Sequence, residues 1–233
     1  MLPPMTTAAD DRREAVGEVF SLAKMVTARD LTFDAVRRIA AGVHPGMTEG
    51  RGGELAQEVL EDLKMERLWH KNVVRFGPGT LETFFGDFQP DYVLKGNDIF
   101  YVDLGAVFDG HEGDAGDTFV VGDDPEMAAC AEAARTLWQE VAARWRVRRE
   151  TGEALYAFAR ARAEAMGWQF NWEVKGHRVS DFPHAIYKAG ALGDLEIMPT
   201  TGLWILEIQI RHPTRPFGAF YEDLLIGEGP AAP

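Results

Sequence analysis

The chain has 233 residues, 46 % of them apolar, which is enough to bury a substantial core. A formal net charge of −13 with no basic stripe excludes a duplex nucleic-acid partner held by phosphate neutralisation. No apolar run reaches the length of a membrane span, the first residues lack the pattern of a secretory signal, and one cysteine, Cys130, forbids an internal disulfide, so a reducing, cytoplasmic location is expected.

Residues 10–43 are expected to be helical, as two helices joined near 28–31, with Asp30 or Thr32 capping the second. Pro45-Gly46 breaks the pattern, and Thr48 can cap a helix whose apolar face is Leu55, Val59, Leu60 and Leu63. Residues 73–76 have strand character, and Gly77-Pro78-Gly79 signals a turn. Residues 99–104 and 106–108 are β-prone runs separated by Gly105; Asp109-Gly110 is a hairpin signal, and 118–121 is the returning strand. Asp124 followed by Pro125 opens a helix expected to run to about Val147, with Ala131, Ala134, Trp138, Val141 and Trp145 on one face. Cys130 among these alanines reads as a small buried apolar residue, not a nucleophile. Trp138 and Trp145 are expected in the core, with a homodimer contact as the alternative. Thr151 opens a further helix ending at Gly167, 203–211 and 219–226 are strands, and 227–233 should fray. Helices, a hairpin, two helices and then strands make an α+β chain, expected to form a single domain over 1–233 with 1–66 as its N-terminal helices.

Several acids sit where strands should be buried. Asp103 follows the apolar run 99–102, Glu207 lies within 203–210, and Glu222 stands between Phe220-Tyr221 and Leu224-Leu225-Ile226. A buried carboxylate needs a partner or a metal. Asp114 lies eleven positions after Asp103, across the expected hairpin, and His177 is a candidate nitrogen ligand. Four carboxylates and one imidazole form a hard set suited to two divalent cations and to hydrolytic chemistry. The plainer alternatives are loop acids around glycines, and a salt-bridged core served by Arg211 or Arg215.

These residues resemble the pita-bread metallopeptidases, the family of methionine aminopeptidase, aminopeptidase P, prolidase and creatinase. The family's paired-aspartate segment, D-x10-D followed by a strand ending in Val-Gly, is similar to the stretch from Asp103 through DAGDTFVVG. Gly176-His177 with His184 seven positions on, then Glu207, then Glu222-Asp223, follow in the family's order, and HPGMTEGRGGEL resembles its Pro-Gly-Met-Thr-Glu helix start. The resemblance implies a pseudo-symmetric curved antiparallel sheet covered by helices. It implies a dinuclear centre in which Asp103 binds one metal, Asp114 and Glu222 bridge, and His177 and Glu207 complete the second. Manganese is favoured, with cobalt, iron or zinc as alternatives. A metal-bridging hydroxide would attack a peptide carbonyl, Glu207 would shuttle the proton and His184 would stabilise the oxyanion.

The chain also departs from the family. A substrate-contacting histidine expected seven residues after Gly77 is Phe84 here, and His70, upstream, has no assigned role. Arg178 replaces the second glycine of the usual GHG, where it can clamp a substrate carboxylate or point to solvent. Asp117 and Phe220 stand where prolidase-like relatives carry arginines. The long N-terminal domain of prolidase and aminopeptidase P is expected to be lacking, so the chain resembles a short member of the prolidase branch. The leading expectation is an Xaa-Pro exopeptidase acting on short peptides, with methionine aminopeptidase next and hydrolysis of a non-peptide amide third. The alternative of another class is a catalytically weak or inactive peptide-binding module. No nucleic-acid or membrane partner is expected.

Overall fold

The computed structural model describes residues 12–184, 186 and 188–227. In chain order the elements are α1 (Leu22–Gly42), α2 (Glu49–Asp62), β1 (Arg67–Leu68), β2 (Val73–Phe76), β3 (Asp98–Phe108), β4 (His111–Val121), α3 (Pro125–Arg148), α4 (Gly152–Ala165), β5 (Gln169–Phe170), β6 (His177–Arg178), β7 (Trp204–Arg211) and β8 (Gly218–Leu224). All eight strands join one antiparallel sheet with the central order β3-β4-β8-β7; β1 and β2 flank β3, and β5 and β6 flank β7. This is the expected α+β arrangement.

Alternation along each strand divides the molecule. Phe100, Val102, Leu104 and Ala106 of β3 pack with α1 and α2, while Leu206, Ile208 and Ile210 of β7 pack with α3 and α4. Both halves therefore have a helix pair over a hairpin, and the opposite sheet face is left for Tyr101, Asp103, Glu207 and Gln209. Trp138 and Trp145 lie in the core and donate their indole N–H groups to the carbonyls of Leu206 (2.9 Å) and Pro199 (2.8 Å). Cys130 is fully buried, and burial pushes its thiol up to about 12.

Local signals set most boundaries. Thr48 Oγ1 caps α2 at Arg51 N, Asp124 caps α3 at Glu126 N and Met127 N, and Thr151 caps α4 at Ala154 N. Asp109 and Gly110, at φ of 47° and 68°, form the tight turn between β3 and β4.

Three expectations change. The helix expected from 10 begins at Leu22, after a single 3-10 turn at Arg12–Glu14; its expected start and the tail beyond Gly227 lie outside the described residues. Tertiary partners take the groups that a helix would pair internally. Arg178 draws in the carbonyls of Arg13 (3.1 Å) and Ala15 (2.7 Å), Asp181 accepts from Gly17 N (2.9 Å), and Glu14 is buried against Thr200 and Trp204. The junction expected at 28–31 is instead continuous helix, because Ala28 and Thr32 are buried and the Thr32 hydroxyl donates back to the Ala28 carbonyl at 2.8 Å. Finally, β3 runs straight through Gly105.

Candidate metal centre

Strand register builds a row of acids. Asp103 on β3 faces Gly116 on β4, Gly116 faces Glu222 on β8, and Glu222 faces Glu207 on β7. Asp114 is two residues from Gly116 and so shares its face. The central position of the row has no side chain, which leaves the space that its neighbours fill. A Cβ on Gly116 would stand 2.9 Å from Glu222 Oε1 and 2.6 Å from the Phe220 ring. His177 on β6 pairs with Ile205, two residues before Glu207. The sheet thus brings Asp103, Asp114, His177, Glu207 and Glu222 together. Among the described residues, two trios have donor atoms mutually within 4.8 Å: His70, Asp103 and Asp114, and Asp114, His177 and Glu222.

His70 is the residue that sequence reasoning left outside. It lies between β1 and β2, with Nε2 3.3 Å from Asp114 Oδ1 and 3.6 Å from Asp103 Oδ1. One signal was available: an isolated glycine within an apolar strand marks close approach by another group. That glycine is Gly105, and the His70 ring lies against it.

The electrostatics are those of acids crowded away from water. Burial raises Asp103 to about 7, against the opposing pull of His70. Burial also raises Glu207, and raises Glu222 well above the ordinary range with help from Asp114 and Asp103. At Asp114 burial acts upward too, but the imidazoles of His177 and His70 outweigh it and hold that carboxyl low. Burial alone would lower His177; Asp114 reverses this and lifts it to about 10. His177 Nε2 is 3.0 Å from Asp114 Oδ2 as an ion-pair contact, without the angles of a hydrogen bond. Asp114 Oδ2 and Glu222 Oε1 are buried acceptors with no donor. Orphaned carboxylate oxygens beside two imidazoles fit hard divalent cations, so the residues present form a donor set able to hold a metal ion.

A cavity of about 850 Å³ opens over the row, with Asp103, His177, Glu207 and Glu222 in its lining. Its walls include Trp69, Phe84, Tyr101, Trp172, Val174 and Phe220. Phe84 meets His70 edge-on at 5.4 Å and carries Lys71 Nζ over its face at 4.7 Å. Glu207 Oε2 accepts from Gly176 N at 2.7 Å, which holds that side chain toward β6.

The other expected residues sit farther out. His184 is not in the cavity lining; its Nδ1 is 2.8 Å from Glu112 Oε2, a carboxylate that also accepts from Ser180 N. Its ring is 6.4 Å from Trp69, which also meets His70 (4.5 Å) and His177 (5.4 Å). Arg178 departs from both of its expectations: it is 4 % exposed, outside the cavity lining, and spends its guanidinium on the carbonyls of Arg13, Ala15 and Val179. The strand alternation that aims His177 at the row aims its neighbour to the other face. Asp117 is held by Arg135 at 2.8 Å, and Phe220 packs on Tyr101 at 5.3 Å. Arg215 is engaged by Asp124 and Glu126, so it does not serve the buried acids.

No match was found among curated proteins. Among solved structures, the chain is similar to X-Pro aminopeptidase from Thermotoga maritima, with a TM-score of 0.76, 19 % identity, and coverage of 93 % of this chain and 61 % of that one. It is similar to prolidase from Pyrococcus horikoshii, with a TM-score of 0.75, 18 % identity, and coverage of 93 % and 62 %. Methionine aminopeptidase from Thermotoga maritima gives a TM-score of 0.70 at 20 % identity, covering 89 % of this chain and 93 % of that one. The chain thus spans about three fifths of the first two and nearly all of the third. Likeness at this identity establishes the pita-bread fold, a curved antiparallel sheet with four helices. The model of metallopeptidase family M24 matches residues 23–226, a span that holds the acid row and both of its imidazoles, and the chain belongs to that family.

Proposed function

We propose that this chain is a divalent-metal-dependent exopeptidase acting on short peptides, with Xaa-Pro bonds as its first substrate class. The observation that carries this reading is the buried acid row in which Asp114 Oδ2 and Glu222 Oε1 have no donor. Left as bare charges, such groups cost several kcal/mol each, on the order of the ordinary desolvation penalty of an ion. Shared divalent cations would remove that cost. Asp103, Asp114, His177, Glu207 and Glu222 are the proposed ligands of two ions, with Asp114 and Glu222 between them. Mostly oxygen donors favour manganese, followed by cobalt, iron or zinc.

Such ions, when bound, supply Lewis acidity and bring the ionisation of water toward neutral pH. The chain's own residues are given the remaining roles. Glu207, raised by burial and lining the cavity, would take up and return a proton. His184, its Nδ1 against Glu112, would stabilise negative charge developing on the substrate carbonyl. Phe84 and its aromatic neighbours would exclude water and receive an apolar ring such as proline. Arg178, committed to backbone carbonyls, is assigned to holding residues 13–15 and not to substrate. A single, buried Cys130 suits the cytoplasm, where we place the enzyme.

The test is hydrolysis of a panel of dipeptides and tripeptides, read by mass spectrometry with added manganese, with cobalt, and with chelator. Chelator-sensitive cleavage at Xaa-Pro bonds is expected. Release of N-terminal methionine would select the second reading. Binding without cleavage under every metal would make the chain a peptide-binding module.

A further inference from the structure

His70 is outside the five ligands named above, yet its placement mirrors that of His177. The two imidazoles approach the acid row from opposite outer sides, His70 from the segment flanking β3 and His177 from β6 flanking β7. Each takes one oxygen of Asp114: His70 Nε2 is 3.3 Å from Oδ1, and His177 Nε2 is 3.0 Å from Oδ2. Each has Nδ1 against the carbonyl of the next residue, Lys71 at 2.8 Å and Arg178 at 3.3 Å. A backbone carbonyl against one ring nitrogen orients the ring and aims the other nitrogen at the acid row, as at metal-ligating histidines generally. At His70 that nitrogen hydrogen-bonds to Asp114 Oδ1 at 3.3 Å and stands 3.6 Å from Asp103 Oδ1, a place between two carboxylates that a proton or a cation fills.

The fold also makes room for this ring. A Cβ at Gly105 would stand 1.9 Å from His70 Cδ2 and 2.2 Å from Nε2, so the imidazole occupies the space of the missing side chain. Trp69 and Phe84 meet the ring edge-on at 4.5 and 5.4 Å, and the side chain is 12 % exposed. Trp69 N also donates to the Gly105 carbonyl at 3.1 Å, tying the segment to β3.

We propose that His70 is a sixth protein ligand, binding the divalent ion held by Asp103 and Asp114, so that the centre carries an imidazole at each end. This rests on the metallopeptidase reading but not on any peptide specificity. It gives Gly105 a purpose, and it gives the Asp103 side of the centre a nitrogen donor that the five-ligand set lacks.

The experiment is calorimetric titration of the metal-free chain with Mn(II), with thermal unfolding of each metal-free variant as the control for folding. The wild-type chain should bind two ions. His70→Ala should weaken one of the two by at least about 10- to 100-fold, the scale for removing groups that hold or orient a metal. Gly105→Ala keeps all six proposed ligands but fills the space of the ring, and should weaken the same ion. His70→Gln guards against a folding defect in the alanine variant. Two ions bound with wild-type affinity by both His70 variants would overturn the inference alone. A wild-type chain that binds no Mn(II) would overturn it together with the metallopeptidase reading. Metal binding without peptide cleavage would leave it standing.

Discussion

Two groups of buried acids in this molecule differ in how their oxygens are satisfied. Glu14 accepts from Thr200 N at 2.8 Å, Thr200 Oγ1 at 2.5 Å and Trp204 Nε1 at 2.7 Å. Glu49 accepts from Phe76 N at 2.8 Å and Gln89 N at 3.0 Å, with Arg75 at 3.4 Å. Their donors belong to the fold, so these carboxylates are closed structural joints between distant segments. In the row across β3, β4, β8 and β7, the buried Asp103, Asp114 and Glu222 and the half-buried Glu207 stand beside one another, and Asp114 and Glu222 each leave an oxygen without a donor. The difference teaches that burial of an acid is not itself a sign of function. What marks the site is burial without fixed donors, which a fold retains when something else supplies the positive charge.

The largest test removes the shared centre of the row. Asp114→Ala should lower turnover of any cleaved peptide by at least about 10³-fold, as loss of an essential group does, with the metal-free fold retained by circular dichroism. Activity within tenfold of wild type would place the chemistry elsewhere. Glu49→Ala attacks the other group. It strands Arg75 and two backbone donors in the core and should cost about 3–5 kcal/mol in denaturant unfolding. A loss below about 1 kcal/mol would erase the contrast between the two groups. Glu222→Gln sharpens it from the other side. In the metal-free chain it removes a carboxyl that burial and three neighbouring acids hold well above its ordinary range, so stability should be unchanged or higher by about 1 kcal/mol. A decrease comparable to that of Glu49→Ala would show that the row is a structural joint as well.

The smallest effect belongs to an acid outside both groups. Asp124 caps α3 and pairs with Arg215 at 2.6 Å, and that partner together with two backbone N–H groups lowers its carboxyl to about 2. The folded value lies below the unfolded value of about 3.9. Its contribution is therefore complete above about pH 4 and is lost as pH falls through about 2. Asp124→Ala should cost about 1 kcal/mol at pH 6, the ordinary worth of a cap, and the gap to wild type should close as pH drops from 4 toward 2. A gap independent of pH would mean that the carboxylate charge does not support the cap.

The sequence by itself determined whatever depends on neighbours along the chain. Caps at Thr48, Asp124 and Thr151 stop and start helices through groups three residues or fewer away, and Asp109-Gly110 turns a strand back on its own successor. The acids Asp103, Glu207 and Glu222 stood out because carboxylates in apolar strands conflict with burial, and their order along the chain carried the family resemblance. What tertiary structure alone decided is which distant groups meet. His70 reaches Asp114 across 44 positions because β1 and β2 pair with β3 and Gly105 leaves space for a ring. Residues 13–17 stay out of the first helix because Arg178 and Asp181, more than 160 positions away, take their backbone groups. Arg178 itself turns from the cavity because neighbours on a strand face opposite ways, and β6 spends its inward position on His177. Local spacing encodes hydrogen bonds that close within a few residues; the pairing that sets one strand beside another is decided by packing across the whole chain.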